Sequence, residues 1–158
     1  MEFSHLDENG AAVMVDVSGK AITGRKATAC GRIKMSRECF EAVQGKLVKK
    51  GDVLAVARVA GIMAAKQTAS LIPLCHNLNL TVCEVDFIFH EAESEIEAAC
   101  SVGCEGQTGV EMEALTGVSV SLLTLYDMCK AIDKRMVVGQ IHLAEKTGGK
   151  SGPFVFGD

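Results

Sequence analysis

The chain has 158 residues, 48% of them apolar, and a formal net charge of −4. That length and apolar content suit one domain with a real core and exclude an intrinsically disordered chain. No apolar run approaches the roughly 18 residues needed to cross a bilayer. The opening Met1-Glu2-Phe3-Ser4-His5 lacks the basic-then-apolar order of a secretory signal, so a cytoplasmic protein is expected.

Residues 1–24 read as irregular, with Gly10, Gly19 and Gly24 as breakers and about 1–12 flexible. Ala27 to Met35 reads as a strand. Ser36 is a good N-cap for a short helix that stops at Gly45. Asp52 caps a second helix, with Val53, Val56, Ala60 and Met63 at helical spacing, ending before Pro73. Leu78 to Phe89 and Glu95 to Val102 alternate in polarity and predict an antiparallel hairpin through Glu91 to Ser94. After the turn-rich Gly103 to Gly109, a long helix is predicted from about Val110 to Lys134, with a stripe of Leu115, Val118, Leu122, Leu125, Cys129 and Ile132. A last strand runs from Met136 to Leu143, and the glycine-rich segment from about 145 to 158 reads as a mobile tail.

This order predicts a single α+β domain over 1–158. The fold expected is ferredoxin-like βαββαβ: an antiparallel sheet with helices on one face and an extra helix in the first crossover. The seven cysteines (Cys30, Cys39, Cys75, Cys83, Cys100, Cys104 and Cys129) sit mostly in apolar stretches and read as reduced core thiols. They form no paired metal motif, so no metal is expected.

From Ala114 to Tyr126 the long helix has no charged residue, which implies cover on more than one side. Asp127 and Lys130 then follow at i and i+3, away from the stripe. Such a pair is ordinarily a weak solvated contact, but beside a covered wall it suits a group of tuned proton affinity. Glu111-Met112-Glu113 opens the same helix, where acids favour the dipole and where a carboxylate also suits a nucleobase edge. Pro73-Leu74-Cys75-His76 offers His76 as an acid, a base or a phosphate contact, and Cys75 as a possible nucleophile.

Lys146-Thr147-Gly148-Gly149-Lys150-Ser151-Gly152 is not a P-loop, because Ala144 stands where the first glycine belongs. It suits a basic lid over phosphates or a solvated tail. Basic clusters within an acidic chain suit a compact polyanion better than a long nucleic acid, and one Tyr with no Trp leaves few stacking platforms.

Several ordered stretches together resemble the cyclic pyranopterin monophosphate synthase family of molybdenum-cofactor biosynthesis. They are Met14-Val15-Asp16-Val17-Ser18, Lys50-Gly51-Asp52-Val53, Ala57-Arg58-Val59-Ala60-Gly61-Ile62, Leu71-Ile72-Pro73-Leu74-Cys75-His76, Thr108 through Thr116, Leu125 through Ala131, and Lys146 through Gly152. The resemblance implies a lyase acting on a dihydro-GTP derivative cyclised between ribose and base. It would form cyclic pyranopterin monophosphate and release pyrophosphate, with no cofactor. It implies Asp127, Lys130 and Lys50 as catalytic, with His76 as acid, base or contact. Leu74, Cys75, His76, Glu111, Met112 and Glu113 become substrate contacts, and Asp16, Lys20, Arg25, Lys146 and Lys150 the remaining polar and phosphate-side positions. It also implies a homo-oligomer, a hexamer built from dimers with sites at the dimer interface and Lys50 expected from the neighbouring subunit, and no nucleic-acid or membrane partner. Asn77 stands where the family usually has Pro, and Gln107 where Lys is common, which removes one expected cationic contact.

Overall fold

The structure is a computed structural model and describes residues 5–157; the first four residues of the expected flexible N-terminus lie outside the described residues. Within 5–12, Leu6 bridges Ala12, and the Asp7 carboxylate accepts the N–H groups of Asn9 and Ala11.

Strand β1 (Thr23–Lys34) is followed by helices α1 (Arg37–Gln44), α2 (Val53–Lys66) and α3 (Thr68–Leu71). The hairpin β2 (Leu80–His90) and β3 (Glu95–Gly106), helix α4 (Glu111–Cys129), β4 (Val137–Thr147) and β5 (Phe154–Val155) complete the chain. The sheet order is β2-β3-β1-β4-β5, with every neighbouring pair antiparallel. The first four strands thus have the ferredoxin-like order that the βαββαβ pattern predicts, and α2 and α4 pack on the sheet.

Local chemistry explains the element starts. Ser36 accepts the Cys39 N–H and Asp52 accepts the Ala55 N–H, each satisfying a donor that the helix leaves free. Alternation decides the sheet faces: Ile96, Ala98, Cys100 and Val102 of β3 are buried, as are Ala27, Ala29 and Ile33 of β1.

The second helix departs from expectation twice. It breaks at Gln67, so α2 and the short α3 replace one continuous helix. Its core face is Val53, Ala57, Gly61, Ala64 and Ala65, whereas Val56 and Met63 are exposed. The reason is a close helix crossing. A Cβ built on Gly61 would lie 2.9 Å from the Gly117 carbonyl of α4 and collide with Ser121 Oγ. Small residues therefore occupy the contact, and the larger ones face outward. Gly61→Ala gains about 1 kcal/mol of helix propensity. Overpacking against α4 backbone costs about 1–3 kcal/mol. A net loss of stability is expected, read as a lower urea midpoint at unchanged m-value.

Strands β1, β3 and β4 run further than alternation indicates, because each has a partner to pair with. Thr23 to Lys26 of β1 pair with Gly106 to Gly103 of β3, and Lys26 to Thr28 also pair with Thr147 to Glu145 of β4. Secondary structure therefore extends into the expected mobile tail, which β5 closes by pairing Phe154 and Val155 with Lys146 and Glu145. Helix α4 ends at Cys129, five residues short of Lys134. There the buried Asp133 takes over, accepting the N–H groups of Ser36 and Arg135 at 2.8 Å each. No helix among the described residues is long and apolar enough to cross a membrane.

Candidate active site

The candidate residues gather at the two ends of α4. At its C-terminal end Lys130 Nζ lies 2.7 Å from Asp127 Oδ1. Lys50, from the loop between α1 and α2, donates to the Asp127 backbone carbonyl at 2.9 Å and lies 3.8 Å from Oδ2. That carbonyl is one of the last four of the helix, which have no partner within it. Lys50 thus caps α4 while bringing a second ammonium to the carboxylate. This corrects the expectation that a neighbouring subunit brings Lys50 to this pair: the same chain supplies all three groups.

The hydrogen bond from Lys130 holds Asp127 below the ordinary carboxylate range, with the charges of Lys130 and then Lys50 adding to it. The same bond raises Lys130 above the ordinary lysine value. Both shifts favour the charged forms, so Asp127 stays ionised to lower pH and Lys130 protonated to higher pH than either would alone. In an NMR titration the Asp127 carboxyl should turn over below its ordinary midpoint, and Lys130→Met should raise that midpoint. An identical midpoint in the variant would show that the pair does not form in solution.

The N-terminal end of α4 borders a cavity of about 690 Å³ walled by Pro73, Leu74, Cys75, His76, Met112 and Glu113. Glu113 is only 4% exposed, and burial raises its carboxyl above the ordinary range. A buried acid of this kind can donate a hydrogen bond as well as accept one. His76 Nε2 lies 2.8 Å from the Val15 carbonyl; that nitrogen must carry the proton, which leaves Nδ1 to exchange one. Burial and the neighbouring Glu113 both raise the Cys75 thiol, so the environment disfavours a thiolate nucleophile.

A second cavity, of about 770 Å³, adjoins the first and shares Lys20, Thr108, Gly109 and Glu111 with it. Arg25, Lys146, Lys150 and Ser151 bring it cations and a hydroxyl. Lys146 Nζ lies 2.6 Å from Ser151 Oγ and 3.4 Å from Glu111 Oε1. Arg25 serves the backbone instead, donating to the carbonyls of Gly106 (3.2 Å) and Gln107 (3.3 Å). Gly149, with φ +80°, packs on the Arg25 guanidinium where any Cβ would collide. The basic tail is thereby held as part of the second cavity's wall.

Ten of the eleven proposed substrate contacts line these adjoining cavities. Asp16 lines neither; its carboxylate accepts the Ser18 N–H and builds a turn. The triad at the other end of α4 lines neither either. Sequence reasoning missed the role of Gln107, whose side-chain amide donates to the carbonyls of Ser18 and Lys20. It also missed Ser151 as the partner of Lys146. Only the glycines around Ser151 hinted at it. Among the described residues, no group of three or more metal-ligating side chains converges.

Comparison with known proteins places the chain. The MoaC family model matches residues 14–149. A cyclic pyranopterin monophosphate synthase of Clostridium botulinum (strain Alaska E43 / Type E3) is 56% identical over 154 residues, covering 98% of this chain and 97% of that protein. Proteins of the same name from Heliobacterium modesticaldum (strain ATCC 51547 / Ice1) and Desulfitobacterium hafniense (strain DSM 10664 / DCB-2) are each 58% identical, over 152 and 156 residues. They cover 96% and 98% of this chain, and 96% and 94% of their own lengths. Matches of this extent and identity include both ends of α4 and both cavities, and the chain belongs to the MoaC family.

Proposed function

We propose that this chain is a cytoplasmic cyclic pyranopterin monophosphate synthase, a phosphorus–oxygen lyase of molybdenum-cofactor biosynthesis. Its substrate is a dihydro-GTP derivative cyclised between ribose and base. In the closing step a substrate hydroxyl attacks the α-phosphorus, the bond to the β-phosphate oxygen breaks, and pyrophosphate leaves. The hydroxyl proton passes by way of the shuttles named below to the leaving pyrophosphate, which also needs positive charge around it.

The paired cavities carry this reading. The apolar one, with Glu113 and His76, suits the edge of a purine, and the cationic one, with Lys20, Lys146 and Lys150, suits a phosphate chain. One elongated ligand with a base at one end and phosphates at the other fits both. Lys130 is a proton shuttle at the reacting centre: its pairing with Asp127 keeps it loaded with a proton, which it releases less readily than a free lysine until the pair is disturbed. Asp127 orients it, since a carboxylate held below its ordinary range is a weak base. Lys50 acts beside them as the second proton shuttle.

Glu113 and Asp127 are fourteen residues apart on α4, about 21 Å along the axis. Proton transfer requires hydrogen-bond reach, so the two ends of one α4 cannot serve the same reacting atoms. A second copy, presenting its Asp127 end to the Glu113 end of the first, completes the site. The flank of α4 supports this contact. Ser119 and Thr124 turn their hydroxyls back onto the carbonyls of Leu115 and Val120, leaving an uncharged surface with Leu123 exposed. The assembly is a homo-oligomer of such dimers, a hexamer, and light scattering should return a mass well above one chain.

Pyrophosphate release on incubation with the cyclised nucleotide tests the activity itself. A nucleotide-sensing module would bind without turnover, and an RNA-binding protein would bind neither nucleotide nor pyrophosphate in this way.

A further inference from the structure

Residues 13–22 belong to no helix or strand, yet they bring Lys20 to the border of the two cavities. The Asp16 carboxylate and the Lys20 N–H bond to the Val17 carbonyl shape its turn from within, and bonds from outside fix where that turn sits. His76 holds one end, at the Val15 carbonyl. At the other end the Gln107 amide donates to Ser18 O at 3.1 Å and Lys20 O at 2.9 Å. Both N–H groups of that amide are thereby used. Among the described residues, no other side chain from outside the segment hydrogen-bonds to Ser18 or Lys20. Gln107 is itself anchored, since Arg25 donates to the carbonyls of Gly106 and Gln107. Arg25, Gln107 and the 18–20 turn therefore form a chain of bonds leading from β1 to Lys20.

We propose that Gln107 is a positioning residue that holds Lys20 at the junction of the cavities, where the Lys20 ammonium meets the phosphate chain of the substrate. This rests on the functional reading above. Gln107 touches no reacting atom and acts through Lys20. The chemistry of the clamp is that of a double donor. Lysine at 107 keeps it, because an ammonium carries three N–H groups. Glutamate at 107 destroys it, because a carboxylate has none.

Gln107→Ala is expected to raise KM about tenfold, the loss of roughly two hydrogen bonds, with kcat close to the parent. Gln107→Lys should restore KM, and Gln107→Glu should not. Lys20→Ala should raise KM as well, and the double variant should be no worse than Lys20→Ala alone. Brief trypsin digestion should cut after Lys20 faster in Gln107→Ala than in the parent or Gln107→Lys. Additive KM effects, or identical cleavage after Lys20 in the parent, Gln107→Ala and Gln107→Lys, would overturn the proposal. A parent chain without turnover would overturn the functional reading alone. The same set of variants, read by calorimetric binding of pyrophosphate and by tryptic cleavage, then still decides whether Gln107 acts through Lys20.

Discussion

Lys130→Ala is expected to lower pyrophosphate release by about 10²–10⁴-fold, the range for losing a positioned proton donor, while the fold survives. The pair with Asp127 is solvent-exposed on both sides, and such pairs contribute little to stability. Circular dichroism and the melting temperature should therefore stay near the parent while turnover collapses. Lys50→Ala should behave similarly in turnover, with a small loss of stability as well, because Lys50 also caps α4 at the Asp127 carbonyl. The two variants separate the functions of the groups: on the proposed reading Lys130 contributes a proton alone, and Lys50 contributes a proton besides the helix end it caps. Near-normal turnover in Lys130→Ala would remove the triad from the reaction.

Mixed assemblies should recover activity that neither parent variant has. Lys130→Ala damages the C-terminal end of α4; Glu113→Gln or His76→Ala, whichever costs more turnover, damages the cavity end. If a site takes one end from each of two copies, a mixed dimer holds one intact site and one doubly damaged site. Random pairing of equal amounts makes half the dimers mixed, so about a quarter of the parent activity returns in a two-fold symmetric dimer. If one chain held the whole site, every site in the mixture would carry a defect and nothing would return. Co-expression with two affinity tags, followed by tandem purification of the mixed species, measures this directly.

Much of the fold was legible because local chemistry dictates it. Ser36 and Asp52 start helices by accepting the N–H groups of Cys39 and Ala55, an arrangement that depends on only a few consecutive residues. The alternation of β3 likewise decides which face is buried. The face of α2 was not legible, because hydrophobicity pointed to Val56 and Met63 while the contact was decided by size. Ala57, Gly61 and Ala64 fit against α4 and larger side chains do not. The extra length of β1 and β4 was hidden for a different reason. Gly24, Arg25 and Lys26 carry no strand signal of their own and are strands only because residues 103 to 105 lie opposite.

The site divides along the same line. Residue types and motif spacing pointed to Asp127, Lys130, Glu113 and His76. The approach of Lys50 to Asp127 spans 77 positions, and no local pattern encodes it. Gln107 was read as a missing cation, although an amide supplies two donors where two carbonyls need them. Its meaning depends on what faces it, which only the folded chain shows.

Helix α4 also measures a length. Glu113 and Asp127 lie fourteen positions apart, close to four full turns, so the two fall within about 40° of each other around the axis. A single residue inserted between them would swing one end by about 100° and turn the two carboxyl groups in different directions. A four-residue insertion would nearly preserve the direction and add about 6 Å of spacing. The number of residues between the two acids is therefore constrained separately from their identity, and substitution within that stretch should be tolerated far better than any change in its length.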